Sequence, residues 1–184
     1  MAKWRQRVVV VLVTLAVLLP VTAICVYFIN PFGAKSYDPR QRIVGHAPYR
    51  IPSRSMLPTL EPDSIVIVRA GAYRNRGPER GDIVVFSNSG DGSHWLQRVI
   101  GLPGETVSIE DGVVMVDGRE LTEDYVDSGN AIMAYSRQME PLEIPRKSYL
   151  LMGDNRDNSQ DGRFMGAISD DAFIGKMVAI LEVE

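Results

Sequence analysis

The longest apolar run of the chain covers residues 8–29 and contains no charged side chain. A helix of about 22 residues at ~1.5 Å per residue is roughly 33 Å long, which is enough to cross a hydrocarbon core of ~30 Å. Pro20 lies inside the run, and proline is tolerated in membrane-spanning helices. The pattern therefore predicts a basic N-terminal segment and membrane anchor over residues 1–29.

Two other targeting signals share parts of this pattern. A cleaved signal peptide has the same basic start, which Lys3, Arg5 and Arg7 provide in this chain, but its apolar region is usually ~7–15 residues long. A lipoprotein signal places a small residue before its cysteine, whereas Ile24 precedes Cys25. A retained anchor fits the length of the run best. Basic residues flank the run almost equally on both sides, so the positive-inside rule does not orient it.

Beyond the anchor, short apolar runs are separated by Gly, Asp and Pro, which is the pattern of strands and tight turns. Residues 30–48 come first; they are rich in Pro, Gly and charge and are predicted to be a connector. The strand-like runs cover residues 64–69, 82–86, 95–100, 106–109, 113–116, 148–152 and 176–181. Residues 169–173 are typical of a short helical turn, and residues 125–143 are predicted to be a long loop.

The pattern as a whole predicts a mainly β domain over residues 49–184. No useful stretch with a period of 3.6 residues follows the anchor. Because proteins rarely leave long strand edges uncovered, we expect the strands to close into a β-barrel or a folded sheet. The expected architecture is one N-terminal transmembrane helix, a connector and one β-rich domain.

Charge and cysteine content narrow the functional classes. Residues 51–184 carry thirteen basic and 22 acidic side chains, a net charge of −9, which is a poor match to nucleic acid. Cys25 is the only cysteine and lies in the predicted anchor, so an internal disulfide and a cysteine-based metal site are excluded. We expect neither a metal nor another cofactor.

Three polar segments are candidates for chemistry. Residues 51–60 (IPSRSMLPTL) hold two serines, residues 95–105 (WLQRVIGLPGE) run from a strand into a turn, and residues 153–163 (GDNRDNSQDGR) are dense in hydrogen-bonding groups. Taken singly, the first is also typical of an ordinary turn and the third of a cluster of Asx turns. The acids of the third segment do not follow the spacing of an EF-hand calcium loop.

Together, in this order and behind an apolar span, the runs SMLPTL, RVIGLPGE and GDNRDNSQDGR closely resemble the type I signal peptidases. The resemblance covers the span and residues 49–180. It implies a β-rich catalytic core beside the outer face of the cytoplasmic membrane, which cuts signal peptides from exported preproteins after small residues. The implied partners are these signal peptides and the lipid bilayer, with secretion machinery as a further candidate.

The resemblance assigns roles in the first segment. It implies that Ser55 is the nucleophile, and that the Ser53 hydroxyl and the Ser55 backbone N–H stabilise the oxyanion. A serine hydroxyl needs a neighbouring base, and each preorganised oxyanion donor is typically worth ~3 kcal/mol. The resemblance also implies a groove for small side chains, expected to be lined by Tyr49, Ile51, Met56, Leu60, Trp95 and Leu96.

In the third segment the resemblance implies supporting roles and exposes a departure. Ser159 matches the serine that orients the catalytic lysine, and Asp161 and Arg163 match a structural ion pair that fixes the loop. The lysine itself is missing, because the position immediately before the arginine of RVIGLPGE is Gln97. A glutamine amide can hydrogen-bond to Ser55 but cannot take its proton near neutral pH.

No obvious side chain replaces the missing base. Along a strand, His94 is expected on the opposite face from Gln97, so it would reach Ser55 only through a bulge. Lys147 and Lys176 are the only lysines beyond the connector, and both are expected to be solvated.

Gln97 leaves two functional hypotheses. The first is a signal peptidase I-type serine endopeptidase whose activity is impaired by Gln97, natural or engineered, unless it uses an unrecognised base. The second is a catalytically inactive homologue that binds or chaperones exported or pilin-like substrates. A penicillin-recognising Ser–Lys enzyme is excluded, because it needs lysine three residues after the serine and Pro58 stands there.

Fractionation tests the anchor. Since a retained apolar helix of this length spans the bilayer, we expect the full-length protein to stay in the membrane pellet after carbonate extraction and high-speed centrifugation. Recovery of the protein in the supernatant would contradict the anchor.

Overall fold

The computed structural model describes residues 2–88, 90 and 92–181; Met1 and residues 182–184, the outer ends of the predicted anchor segment and β domain, lie outside this part. Helix α1, Ala2–Ile29, covers the apolar run. Among the described residues it is the one helix long and apolar enough to cross a membrane, with a mean hydropathy of 2.9. The most apolar 18-residue stretch of this helix has no residue buried against the rest of the protein, as a membrane anchor requires.

A short helix and a strand follow where only a connector was predicted. Asp38 caps helix α2, Pro39–Val44, by accepting a backbone hydrogen bond, and Gly45 ends it with a φ of 82°. Strand β1, His46–Ile51, follows at once. Residues 30–48 therefore contain ordered structure. Ala47, Tyr49 and Ile51 of this strand alternate with the exposed His46, Pro48 and Arg50, but Pro48 and the surrounding charge made the segment resemble a connector. The strand pairs with the next strand along the chain.

Eleven strands among the described residues build two antiparallel sheets. The first sheet contains β1, β2 (Ser64–Ala70), β3 (Ile83–Ser87), β4 (His94–Gly101), β9 (Ser148–Met152), β10 (Ile168–Ser169) and β11 (Phe173–Leu181). The second contains β5 (Thr106–Glu110), β6 (Val113–Val116), β7 (Arg119–Glu120) and β8 (Met139–Glu143). Their strand orders are β1-β2-β11-β3-β4-β9-β10 and β7-β6-β5-β8. The predicted mainly β architecture behind one N-terminal helix is confirmed.

Short helical pieces complete the chain. They are the one-turn helices α3 (Ala134–Arg137) and α4 (Gly162–Met165), and the 3-10 turns Ser128–Asn130, Arg156–Asn158 and Asp170–Ala172. The last turn falls within the predicted helical turn at residues 169–173. Strand β8 lies inside the predicted loop at residues 125–143. Its side chains are mostly exposed, so its apolar pattern is weak, and Pro141 is tolerated because β8 is an edge strand.

Three clusters of buried apolar side chains form the core. One packs Met56 and Leu60, which are 0% and 1% exposed, against side chains of β2, β3 and β4. A second fills the space between the second sheet and β9, and the third joins β3, β4 and β9. The segment that follows β1 is therefore held from beneath by two fully buried side chains.

The anchor and the candidate site lie at opposite ends of the first sheet. β1 begins beside α2 and ends at Ile51, just before the serine-bearing segment. β9 begins after Lys147, whose carbonyl accepts from Asp170 N–H, and the Asp170 carbonyl accepts a 2.6 Å hydrogen bond from Lys35 near the anchor. The other end of β9 leads into residues 153–163. At ~3.3 Å per residue, a strand such as β1 separates the two ends by about 17 Å.

Close packing of two strands generates a stability prediction. A Cβ atom at Gly175 of β11 would lie 2.4 Å from the Arg69 carbonyl oxygen in β2. Gly175→Ala therefore forces these strands apart, and we expect it to lower the free energy of unfolding by ~1–3 kcal/mol. Gly129→Ala is the control, since its nearest neighbouring atom would be 3.4 Å away. Denaturant titration in detergent compares them; equal stability of the two variants would contradict the prediction.

Candidate active site

The segment after β1 presents the two serines. Ser53 Oγ and Ser55 Oγ are 2.9 Å apart, within hydrogen-bond distance. Ser53 is exposed and Ser55 is half-buried. The Leu60 N–H donates to the Met56 carbonyl at 2.9 Å, and both side chains lie in the core. Ser55 therefore stands at the surface of a turn that is anchored from below.

The loop at residues 153–163 holds this segment by its backbone. The Asn155 N–H donates to the Ser55 carbonyl at 3.0 Å, and Asn155 Nδ2 donates to the Arg54 carbonyl at 3.1 Å. These bonds fix the peptide groups on both sides of Ser55. Asn155 thus fixes the backbone around Ser55, a contact that the sequence did not predict.

Asp154 joins three parts of the site. Arg98 in β4 donates to both of its carboxylate oxygens, at 2.8 and 2.6 Å, and the Thr59 hydroxyl donates as well. The side chain of Asp154 is 0% exposed and that of Arg98 is 11% exposed. Burial acts to lower the pKa of Arg98, but Asp154 outweighs it and holds that pKa above its ordinary value. The Arg98 guanidinium therefore stays charged in the interior.

A second buried ion pair lies behind the first. The Tyr125 ring covers Arg98, with 3.9 Å between the guanidinium carbon and the ring centroid. The Tyr125 hydroxyl donates to Glu123, and Glu123 pairs with Arg156 at 2.6 Å. Burial, reinforced by the Glu123 carboxylate, raises the pKa of Tyr125, which stays a neutral donor. The loop at residues 153–163 is thereby tied to the segment between β7 and β8, which contains Glu123 and Tyr125.

Asp161 and Arg163 form the ion pair that the resemblance implied. Arg163 Nε lies 2.9 Å from Asp161 Oδ1, and the side chains of Arg163 and Asp161 are 2% and 0% exposed. Asp161 Oδ2 also accepts the Gly153 N–H at 3.0 Å, and Arg163 Nη2 donates to the Arg156 carbonyl at 2.6 Å. The pair joins the first residue of the loop to its last.

Gln97 lies in the same site, and only one of the two polar atoms of its side-chain amide has a hydrogen-bond partner. Its side chain is 2% exposed, and Nε2 donates to the Gln160 carbonyl at 2.8 Å. Among the described residues, Gln97 Oε1 and Ser159 Oγ are the buried side-chain polar atoms without a hydrogen-bond partner. Leaving such a group unpaired typically costs ~1–3 kcal/mol. A Cβ atom on Gly153 would lie 2.3 Å from Ser159 Oγ and 2.5 Å from the Ser55 carbonyl oxygen, so Ser159 borders the serine-bearing segment.

Ser55 and Gln97 line one cleft of about 350 Å³. Of the six apolar residues expected to line it, Ile51, Trp95 and Leu96 do so. The other three lie elsewhere: Met56 and Leu60 are in the core beneath, and Tyr49 packs against that core. The cleft also contains residues that the sequence did not predict, namely Arg50, Pro52, His94, Asn158 and Gln160.

The cleft offers few groups that could act as a base. Among its lining residues in the described chain there is no lysine and no carboxylate, and His94 is the one imidazole. His94 is exposed and its ring lies 5.7 Å from that of Tyr49. Lys147 is exposed at a turn, and Lys176 is paired with Asp82. Neither lysine lines the cleft.

Comparisons with known proteins agree on one family. The family model described as signal peptidase, peptidase S26, matches residues 5–182. Signal peptidase I of Leptolyngbya laminosa is 41% identical over 136 residues, which are 70% of this chain and 64% of that protein. Probable signal peptidase I-2 of a Synechocystis strain is 38% identical over 134 residues, which are 68% of this chain and 58% of that protein. The chain thus spans about six tenths of the length of these two relatives.

A solved structure is also similar. It is the crystal structure of a signal peptidase I from Enterococcus faecalis, with 29% sequence identity and a TM-score of 0.49. The match covers 56% of this chain and 98% of the crystallised one.

The buried charge of Asp154 generates a second stability prediction. Asp154→Asn leaves the Arg98 guanidinium without its counter-charge, so we expect a loss of ~3–5 kcal/mol in the free energy of unfolding. The control is Asp124→Asn, because Asp124 is exposed and we expect a change within ~0.5 kcal/mol there. Denaturant unfolding in detergent measures both. A loss below about 1 kcal/mol for Asp154→Asn would refute the bridging role of this carboxylate.

Proposed function

Because this chain belongs to the signal peptidase S26 family, we propose that it is a membrane-anchored serine endopeptidase of the signal peptidase I type, which removes signal peptides from exported preproteins. The observation that carries the proposal is the placement of Ser55. Its hydroxyl opens into a cleft, its backbone is fixed by Asn155, and the Ser53 hydroxyl stands 2.9 Å away. We expect this activity to be impaired in the chain, because Gln97 stands at the position of the base.

Two open strand edges support binding of an extended peptide. β1 is the outermost strand of the first sheet. In β4, residues 94–97 pair with β3 alone, because pairing with β9 begins only at Arg98. Residues from both strands line the cleft, and alternation of antiparallel neighbours gives β1 and β4 the same direction. A substrate strand between them would gain main-chain hydrogen bonds on either side.

The shape of the cleft supports a preference for small side chains. Ile51 and Leu96 are buried and Trp95 is partly buried, so these side chains give the cleft an apolar wall that is already packed from behind. An alanine side chain fits against such a wall without displacing it, whereas a larger one needs the core to move. The residues before the scissile bond would lie here.

The reaction is acyl transfer through Ser55. Its oxygen forms a bond to the scissile carbonyl carbon while its proton leaves, and the carbonyl oxygen becomes an oxyanion. The Ser53 hydroxyl is placed to donate to that oxyanion, a contribution of ~3 kcal/mol for one donor. The leaving amine then takes up a proton, and water hydrolyses the acyl-enzyme. Both proton transfers need a group that can hold the Ser55 proton.

Gln97 cannot hold that proton, because a glutamine amide is not a base near neutral pH. Its surroundings would suit lysine. A lysine amine at position 97 would find the Gln160 carbonyl and the unpaired Ser159 hydroxyl as hydrogen-bond partners. Burial would also lower the pKa of the amine, which keeps a larger fraction of it neutral. This is the physical reason to treat position 97 as the missing base.

The proposed location follows from the anchor and the family. Helix α1 would span the cytoplasmic membrane once, with the β domain on the extracytoplasmic side, where exported preproteins emerge. The bilayer and the signal peptides are the proposed partners, and secretion machinery is a candidate for contact with the same membrane face.

One observation favours a second candidate function. Gln97 Nε2 already bonds the Gln160 carbonyl, so the cleft is ordered without a lysine. A catalytically inactive homologue could therefore bind exported or pilin-like chains in this cleft and release them uncut. If the chain is an impaired peptidase, its cleft lacks only the base. If it is a binding protein, its cleft lacks other catalytic features as well.

Turnover by position 97 variants separates the candidates. We expect negligible cleavage of a preprotein by the Gln97 chain and a gain of ~10²–10⁴-fold in Gln97→Lys, the usual range for general-base catalysis. Gln97→Met has a similar shape and no base, so it should stay inactive. Ser55→Ala in the Gln97→Lys background should abolish the gain.

Two results would overturn this account. Strong Ser55-dependent cleavage with Gln97 intact would mean that another base exists, and His94→Gln would then test the one candidate in the cleft. A folded Gln97→Lys variant without turnover would instead assign the chain to the binding function.

A further inference from the structure

An exposed apolar surface lies beside the loop at residues 153–163, which we call the catalytic loop. Ile132, Met133, Tyr135 and Phe164, which together form the apolar platform, are 64%, 49%, 40% and 55% exposed. Single exposed apolar residues are common, but a contiguous group usually marks a binding surface. The platform is not part of the cleft that holds Ser55.

Backbone and hydroxyl hydrogen bonds fix the platform to the catalytic loop. The Asp157 carboxylate accepts the N–H groups of Ile132 and Met133, at 2.9 and 3.0 Å. The Tyr135 hydroxyl donates to the Asp157 carbonyl at 2.5 Å. Burial acts to raise the pKa of Asp157, but these backbone donors and a hydrogen bond from Ser136 hold it below its usual range. Asp157 therefore stays ionised and keeps both contacts near neutral pH.

The two aromatic rings are fixed as well. Tyr135 and Phe164 lie with 5.5 Å between ring centroids, and the Arg163 guanidinium lies 5.8 and 5.7 Å from the same two centroids. Arg163 is itself held by its buried pair with Asp161. The rings are thus ordered before any ligand arrives, which lowers the entropic cost of binding.

The platform continues into the cleft. Tyr135 and Phe164 border an open depression of about 400 Å³, together with residues 157–160. Asn158 and Gln160 also line the cleft that contains Ser55, so the two depressions share a border. A peptide that lies across Ser55 can pass over this border onto the platform.

Direction along the cleft identifies which end of a substrate reaches the platform. The apolar wall of Ile51 and Leu96 would take the residues before the scissile bond. Asn158 and Gln160 are polar and exposed, and they form the side of the cleft that borders the platform. The residues that follow the scissile bond would therefore leave past them.

The position of the platform disfavours the bilayer as its occupant. The catalytic loop follows the end of β9, and the contact with the anchor-proximal Lys35 lies at the other end of that strand. A strand of five residues separates these ends by about 14 Å. An apolar surface there is better placed to meet a peptide held in the cleft than the headgroups beside α1.

We propose that the apolar platform binds the first residues after the scissile bond and favours substrates with a large apolar or aromatic side chain there. This inference rests on the proposed function for the direction of the peptide. It adds a selectivity for the start of the mature chain to the small-residue groove before the cut. Phe164 and Tyr135 are the residues that would contact the side chain.

Peptide binding tests the platform without requiring turnover. Fluorescent peptides share one sequence up to the scissile bond and carry phenylalanine or serine at one of the next four positions. The full-length Gln97 chain, in detergent micelles, should bind the best phenylalanine peptide about tenfold more tightly than its serine counterpart. Phe164→Ala should remove that difference, and Phe164→Tyr should retain it. Val44→Ala is the control, since Val44 is a similarly exposed apolar residue on α2, and it should change nothing.

Three outcomes overturn the proposal. The first is a Phe164→Ala variant that weakens both peptides equally, and the second is one that weakens neither. The third is quenching of the added indole of Phe164→Trp by brominated lipids in peptide-free vesicles, relative to the unmodified chain, which would assign the platform to the bilayer.

Turnover of Gln97→Lys separates this proposal from the proposed function. Cleavage by that variant without any phenylalanine preference would refute the proposal for the platform and leave the peptidase function standing. The opposite result is a Phe164-dependent preference in peptide binding together with an inactive Gln97→Lys variant. It would support the proposal for the platform and refute the peptidase function.

Discussion

A single buried carboxylate determines how the candidate site is arranged. Asp154 has no exposed side-chain surface, and a charge there is tolerated only because Arg98 and Thr59 bond its oxygens. Arg98 belongs to β4, Thr59 to the serine-bearing segment and Asp154 to the catalytic loop. Satisfying this one charge fixes all three segments relative to each other. Asn155, the next residue, is thereby brought against the backbone around Ser55.

Stability and chemistry are carried by different residues in this site. The three buried ion pairs order the loop and the serine-bearing segment, and none of them includes position 97. The Gln97 side chain bonds only the Gln160 carbonyl, so the framework of ion pairs does not depend on that side chain. The residues that shape the cleft are therefore held in place whatever side chain stands at position 97.

The parts of the structure predicted from sequence are those with a strong local pattern. The anchor and seven of the strands have charge-free or apolar runs that reveal them. β1 and β8 are edge strands with weak signals, because β1 carries Pro48 within a short alternation and the side chains of β8 are mostly exposed. In the site, the serines and the acidic loop were identified from short motifs. The clamp by Asn155 depends on a contact across a hundred residues, and the burial of Met56 and Leu60 depends on packing, so neither was predictable locally.

The open edge of β1 has a consequence for the protein when no peptide is bound. An uncovered strand edge can pair with the same edge of another copy, which leads to aggregation. Pro48 lies within β1 and Pro52 follows it, and each removes one backbone N–H that such pairing would use. Arg50, between them, puts a charge on the same edge, and its side chain is 70% exposed. The edge can therefore accept a short extended segment while resisting the long regular ladder that drives self-association.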